Sequence, residues 1–259
     1  MSLYGCYQKA VTIYNLPSAF MVSLTACIVP AVSAALTKKD KVGAGKIAES
    51  ALRVGAMLAL PAGIGLTVLA GPIIQLLYPE TNQEVGTQCL MVLGIASIFV
   101  CVMLLTNSIM QAHGKVQLPI YTMLMGGAVK VGINYVLVGN PDINIKGAPI
   151  GTLVCYGLIA LVNLIIVWRL LEDKPNYFKV FAKPVLASAI MGATAWAVHG
   201  LCGRFLTGGY VKESLATLVA IGAAVVVYLI LVLVLRLITR EDLKMIPKGD
   251  KIAAILRIR

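Results

Sequence analysis

Two ammonium groups stand where such groups are costly. Lys9 borders one long apolar stretch of the 259-residue sequence and Lys130 interrupts another, and an ionised side chain in a membrane-length segment is expensive unless it faces water or a partner. Lysine carries three N–H donors and no acceptor, so the chemistry on offer is recognition of an anion, not bond making. Lys9 lies near one end of its stretch, where its stem can snorkel to the interface; an anchoring role is open to it. Lys130 lies deeper, about 13 residues or 20 Å from one end of its segment and about 12 Å from the other. It would either face a water-filled, anion-binding cavity or bond to carbonyls of a neighbouring helix. The amides Asn15, Asn107, Asn134 and Asn163 could line the same cavity or bridge helices.

Nothing else in the chain offers reactive chemistry. Gly43, Gly45 and Lys46 faintly resemble a phosphate loop, but Ile47 follows the lysine where Ser or Thr is needed, and no strand precedes it. His113 and His199 are far apart and are expected at opposite membrane faces. Cys6, Cys27, Cys89, Cys101, Cys155 and Cys202 form no CxxC pair and read as small packing residues. No Ser/His/Asp set or carboxylate pair stands out, so neither catalysis nor a cofactor is expected.

The elements that must hold the lysines follow from composition. Hydrophobic residues make up 59% of the chain and charged residues 13%, against the roughly 25% charged residues of a soluble domain. The mean hydropathy is +0.89. Most of the surface must therefore face lipid, in an all-α, polytopic membrane protein. A crossing needs about 20 apolar residues, and seven runs qualify: Ala10–Leu36, Ile47–Tyr78, Gln88–Ala112, Gln117–Val138, Gly147–Leu171, Val180–Cys202 and Val211–Ile238. The second exceeds one bilayer crossing and contains Pro61, which predicts a kink or tilt there; Pro17 plays a similar part in the first. Gly147 with Gly151, and Ser188 with Gly192, are spaced to let helices approach closely. Residues 1–238 thus form a transmembrane lobe, and residues 239–259 a basic tail that could lie along the inner leaflet through "KIAAILRIR".

The net charge of +11, from 22 Lys+Arg and 11 Asp+Glu, sorts by connection. Lys38, Lys39, Lys41, Lys46 and Arg53, then Lys115, then Arg169, Lys174, Lys179 and Lys183 share one side with the tail. The other side holds only Lys146, Arg204 and Lys212. Basic connections favour the cytoplasm, which predicts a cytoplasmic C-terminus and, with seven spans, an external N-terminus. Met1 to Phe20 does not read as a signal peptide, so the chain is expected to be the C-terminal part of a longer transporter. Basic residues scattered between apolar runs suit a lipid bilayer, and no nucleic-acid partner is expected. No carboxylate is expected near the middle of a span; Glu49 lies at the cytoplasmic edge.

Several segments resemble a known family. "NLPSAFMVSLTACIVPAVSAAL" (Asn15 to Leu36), "ALPAGIGLTVLAGPIIQLLYP" (Ala59 to Pro79) and "QAHGKVQLPI" (Gln111 to Ile120) are similar to the C-terminal half of the polysaccharide-exporter-like flippases. "GGAVKVGINYVLVGNPDINIKGAPIGTLVCY" (Gly126 to Tyr156) resembles the lysine, Asn-Tyr, Gly-Ala-x-x-Gly-Thr pattern of the stage V sporulation protein B-like lipid-linked oligosaccharide flippases. They belong to the multidrug/oligosaccharidyl-lipid/polysaccharide exporter superfamily. The resemblance implies one lobe of a two-lobed plasma-membrane flippase whose first lobe is absent. It implies outward movement of an undecaprenyl-pyrophosphate-linked saccharide or peptidoglycan precursor, for cell wall or spore cortex. Lys130 and Asn134 match the family pattern, and Lys9 lies close to a similar cavity-facing stretch. The last two helices would correspond to those that hold a lipid tail. Other readings are a multidrug antiporter of the same superfamily, which two lysines and the lack of a mid-membrane acid disfavour, and a non-transporting scaffold formed by a truncated lobe.

Overall fold

Inside hydrocarbon a backbone has no water to bond, so a long apolar run keeps its N–H and C=O groups paired by coiling into a helix. The computed structural model, which describes residues 3–205, 210–235 and 237, obeys that rule. Its helices are α1 (Leu3–Thr37), α2 (Lys41–Val68), α3 (Ala70–Leu77), α4 (Gln83–Ala112), α5 (Gln117–Val138), α6 (Gly147–Leu170), α7 (Tyr177–Phe205) and α8 (Tyr210–Val234), with a short 3-10 turn at Asn144–Lys146. Among the described residues, seven helices are long and apolar enough to cross a membrane. The chain is an all-α, multi-pass membrane protein.

Helix ends follow local capping. The Asp40 side chain accepts from the Gly43 amide at 2.8 Å and starts α2, satisfying one of the free N–H groups of the first turn. The Gly43–Gly45–Lys46 stretch is therefore the opening of a membrane helix. Asn82 caps α4 through the Val85 amide at 3.3 Å, so that helix begins five residues before the apolar run at Gln88.

The second expected span is divided in the structure. α2 runs unbroken through Pro61, and the interruption falls at Leu69, between α2 and α3. Proline clashes with the carbonyl four residues earlier, which for Pro72 is that of Val68, the last residue of α2. Pro61 leaves the Met57 carbonyl without its intrahelical donor, and the Tyr228 hydroxyl of α8 donates to it at 2.7 Å. A neighbouring helix thus repairs the defect that the proline makes. The last helix ends at Val234 rather than Ile238, and the basic tail lies outside the described residues.

α4 is the central element. It packs against α1, α2, α3 and α6, while α5 rests on α6 and the α7–α8 pair leans on α2 and α3. Small residues set the distances. A Cβ on Gly94 of α4 would lie 2.8 Å from the Thr67 backbone nitrogen and 3.0 Å from the Gly63 carbonyl of α2. Between α5 and α6, a Cβ on Gly147 would press on Leu137 at 2.6 Å, and one on Gly151 would meet the Asn134 side chain. Gly192 of α7 faces Ile64 of α2, 2.8 Å from where its Cβ would be. Polar contacts close both ends of the bundle. Ser33 reaches the Ala112 carbonyl at 3.3 Å and Lys41 pairs with Glu172 at the basic end. At the other end Tyr210 donates to the Leu76 carbonyl at 2.7 Å, and Lys146 pairs with Glu84 at 3.4 Å.

Candidate functional site

Lys130 projects from α5 toward α6, where its Nζ lies 6.0 Å from the centre of the Tyr156 ring. It is half-buried, and among the described residues it has no carboxylate or hydrogen-bond partner. A cation over an aromatic face gains about 0.5–2 kcal/mol, enough to orient the ammonium while leaving its N–H donors available. Gly127, one turn earlier, faces open space: nothing lies within 4 Å of where its Cβ would be. Asn134, one turn later on the same face, sits against Gly151, and its Oδ1 is buried without a donor among the described residues.

Tyr156 brings α1 into the group, for it lies near Tyr7, and Tyr14 lies near both. Tyr7 itself lies beside Thr152 of α6. α1 then turns an unusual face outward. Tyr4, Gln8, Thr12, Asn15, Ala19 and Ser23 are all exposed, and their spacing of three and four residues puts them on one stripe. A stripe with two amides and several hydroxyl groups along a spanning helix suits water or another protein surface better than lipid.

Lys9 occupies a different position. Its Nζ donates to the Thr81 hydroxyl at 3.0 Å and lies 4.8 Å from the Tyr78 ring centre, at the link from α3 to α4. Residues 7 and 9 fall on opposite flanks of a helix turning about 100° per residue. Tyr7 therefore leads toward α6 and Lys130, and Lys9 leads away from them. The structure does not join the two lysines; it sets them on either side of the α1 stripe that carries Asn15.

Asn107 belongs to neither. It is 9% exposed and accepts from Asn163 Nδ2 at 2.8 Å; that nitrogen also approaches the Thr106 hydroxyl at 3.2 Å. These residues bridge α4 to α6 in the bundle interior. His113 closes α4, its Nδ1 lying 2.8 Å from the Ile109 carbonyl. No cluster of His, Cys, Asp or Glu suited to a metal ion is present among the described residues.

The sequence pattern by itself gives Tyr78 and Tyr156 no role, yet one of them leaves a signal. α5 and α6 form an antiparallel hairpin in which Leu137 meets Gly147, Asn134 meets Gly151 and Gly126 meets Ile159. Partners equidistant from the connection therefore face each other, and that register puts Tyr156 opposite Lys130. No comparable local rule links Lys9 to Thr81, 72 residues away.

An all-helical bundle with seven membrane-length helices among the described residues, and an ammonium within one of them, defines a polytopic α-helical membrane protein. The family model described as lipid II flippase MurJ matches residues 4–219, and the chain belongs to that family. It is 29% identical over 264 residues to the uncharacterized membrane protein YabM of Bacillus subtilis, covering 99% of this chain and 47% of that protein. It is 25% identical to stage V sporulation protein B of Bacillus subtilis, with 92% of this chain and 44% of that protein covered. With the probable lipid II flippase MurJ of Thermotoga maritima it shares 28% identity, over 72% of this chain and 37% of that one. The chain thus spans less than half the length of these curated relatives.

Proposed function

We propose that this chain forms one lobe of a flippase that moves a lipid-linked, pyrophosphate-bearing saccharide outward across the plasma membrane. The second lobe comes from the same or a separate polypeptide. A peptidoglycan precursor is the substrate class best matched to the relatives' names. The observation that carries the reading is Lys130: a half-buried ammonium within a span, oriented by Tyr156 and lacking a carboxylate among the described residues. An anionic headgroup passing that point supplies the missing counter-charge, and charge-assisted contacts are roughly twice as strong as neutral ones. Asn134 offers an amide one turn away, and the α1 stripe with Asn15 forms the wet wall along which the saccharide moves. Lys9, held by Thr81 and Tyr78, marks the rim at the end away from the basic connections. Those connections lie in the cytoplasm by the charge bias, as does the C-terminus. Rocking of the two lobes about the site would expose it to each side in turn.

Cross-linking tests this. A photoreactive phenylalanine analogue in place of Gly127, in the native membrane, is expected to form an adduct with radiolabelled lipid-linked saccharide. The same analogue in place of Ile165, exposed on the flank of α6 opposite Tyr156, is expected to form none. An absence of adduct at 127, or equal labelling at both positions, contradicts the reading.

A further inference from the structure

A second candidate site lies at the basic end, away from Lys130. α2 and α7 separate there around a cavity of about 480 Å³, lined by Glu49, Arg53, Phe178, Lys179, Lys183 and Leu237. That volume lies within the roughly 300–1,000 Å³ range of small-molecule sites. Its charge is uneven. Glu49 is engaged by Arg53 at 3.2 Å, whereas Lys179 and Lys183, both exposed, have no carboxylate partner among the described residues. Lys183 donates to the Leu235 carbonyl at 3.4 Å, which holds its stem across the cavity while leaving two N–H donors unused. Leu237, 2% exposed, seals the floor against Val54 and Ala187.

The surroundings indicate which anion belongs here. Phe178, 81% exposed, stands at the mouth, and Val185 and Leu186 continue an exposed apolar surface along α7 from the same opening. Lys174, at the same end of the bundle, lies 4.1 Å from the Trp168 ring centre. Aromatic rings with basic side chains at a span's end mark headgroup depth, and basic pockets between spans suit phosphate headgroups. A soluble anion has no use for the apolar apron.

We infer that this cavity binds the phosphate headgroup of an anionic glycerophospholipid from the leaflet at the basic end, with Lys179 and Lys183 as its ligands and the acyl chains running down the exposed face of α7. The site is separate from the Lys130 face.

The test is a titration of phosphatidylglycerol into the protein isolated from its membrane in a neutral detergent, read by native mass spectrometry. Wild type is expected to show saturable binding that 10 mM glycerol 1-phosphate does not displace, a probe concentration set at roughly the weak-binding regime. Substituting both Lys179→Gln and Lys183→Gln should weaken binding roughly thirtyfold, from the loss of two surface cations. Lys38→Gln with Lys39→Gln, basic residues at the same end but outside the cavity, should leave it unchanged. Equal losses in both pairs would reduce the effect to general charge attraction and overturn the site. Unchanged binding after the Lys179 and Lys183 substitutions would also overturn it, and displacement by glycerol 1-phosphate would replace the lipid with a soluble anion.

Discussion

On the proposed reading, Lys130→Met in the complete protein is expected to reduce outward movement of a lipid-linked saccharide at least about a hundredfold, and Lys130→Glu to abolish it. A unit charge about 4 Å from another contributes about 4 kcal/mol at an effective dielectric near 20, and part of this is offset by the cost of drying the ion. What remains is still two orders of magnitude in occupancy. Methionine keeps the length and apolar stem while removing the charge; glutamate repels the pyrophosphate. Lys130→Arg should retain most activity, because the planar cation can stack on Tyr156 and still reach an anion. A purely structural lysine would give another pattern: thermal stability and membrane abundance would fall in the Met variant alongside transport. With Lys130 half-buried and free of carboxylates among the described residues, both are expected to stay near wild type.

Gly94→Val is expected to be strongly damaging to the fold. The new Cβ would meet the backbone of Thr67 and the carbonyl of Gly63, at 2.8 and 3.0 Å, and neither can rotate away as a side-chain tip could. α2 and α4 would have to separate. Overpacking of this kind costs about 1–3 kcal/mol, occasionally more, and here it falls on the central helix, loosening its contacts with α1 and α6 as well. A lowered melting temperature in detergent and reduced membrane abundance are the expected readouts. Gly222→Val on α8, where nothing lies within 4 Å of the added atom, should stay within about 0.5 kcal/mol of wild type. Equal stability of the two variants would show that the α2–α4 contact is looser than its geometry.

Much of this architecture is legible without coordinates, because the bilayer imposes a length and a composition on each span. All seven crossings show as apolar runs, and the GxxxG pair at Gly147 and Gly151 marks the α5–α6 contact. The i, i+4 spacing of Lys130 and Asn134 already puts them on one face. What escaped is tertiary. The Met57 carbonyl that Pro61 orphans is met by Tyr228, 171 residues later, and the break between α2 and α3 falls at Leu69, ahead of Pro72, within an unbroken apolar run. Lys9 and Lys130 look equivalent as lone cations in apolar sequence, but Thr81 and Tyr78 draw one to the rim while Tyr156 holds the other within the span. Asn107 and Asn134 look alike too. Burial opposite Asn163 makes the first a tie between helices, and a neighbouring glycine leaves the second beside the open face.

That this lobe serves a pyrophosphate-linked saccharide is tested most directly by the leaflet distribution of the carrier. A membrane-impermeant reagent that modifies only externally displayed saccharide reports the outward fraction as the protein is depleted from its own cells. Depletion should shift the lipid-linked saccharide to the inner leaflet, and re-expression of the wild type, but not of Lys130→Glu, should restore it. An outward fraction unchanged by depletion, or restored equally by Lys130→Glu, would contradict the assignment.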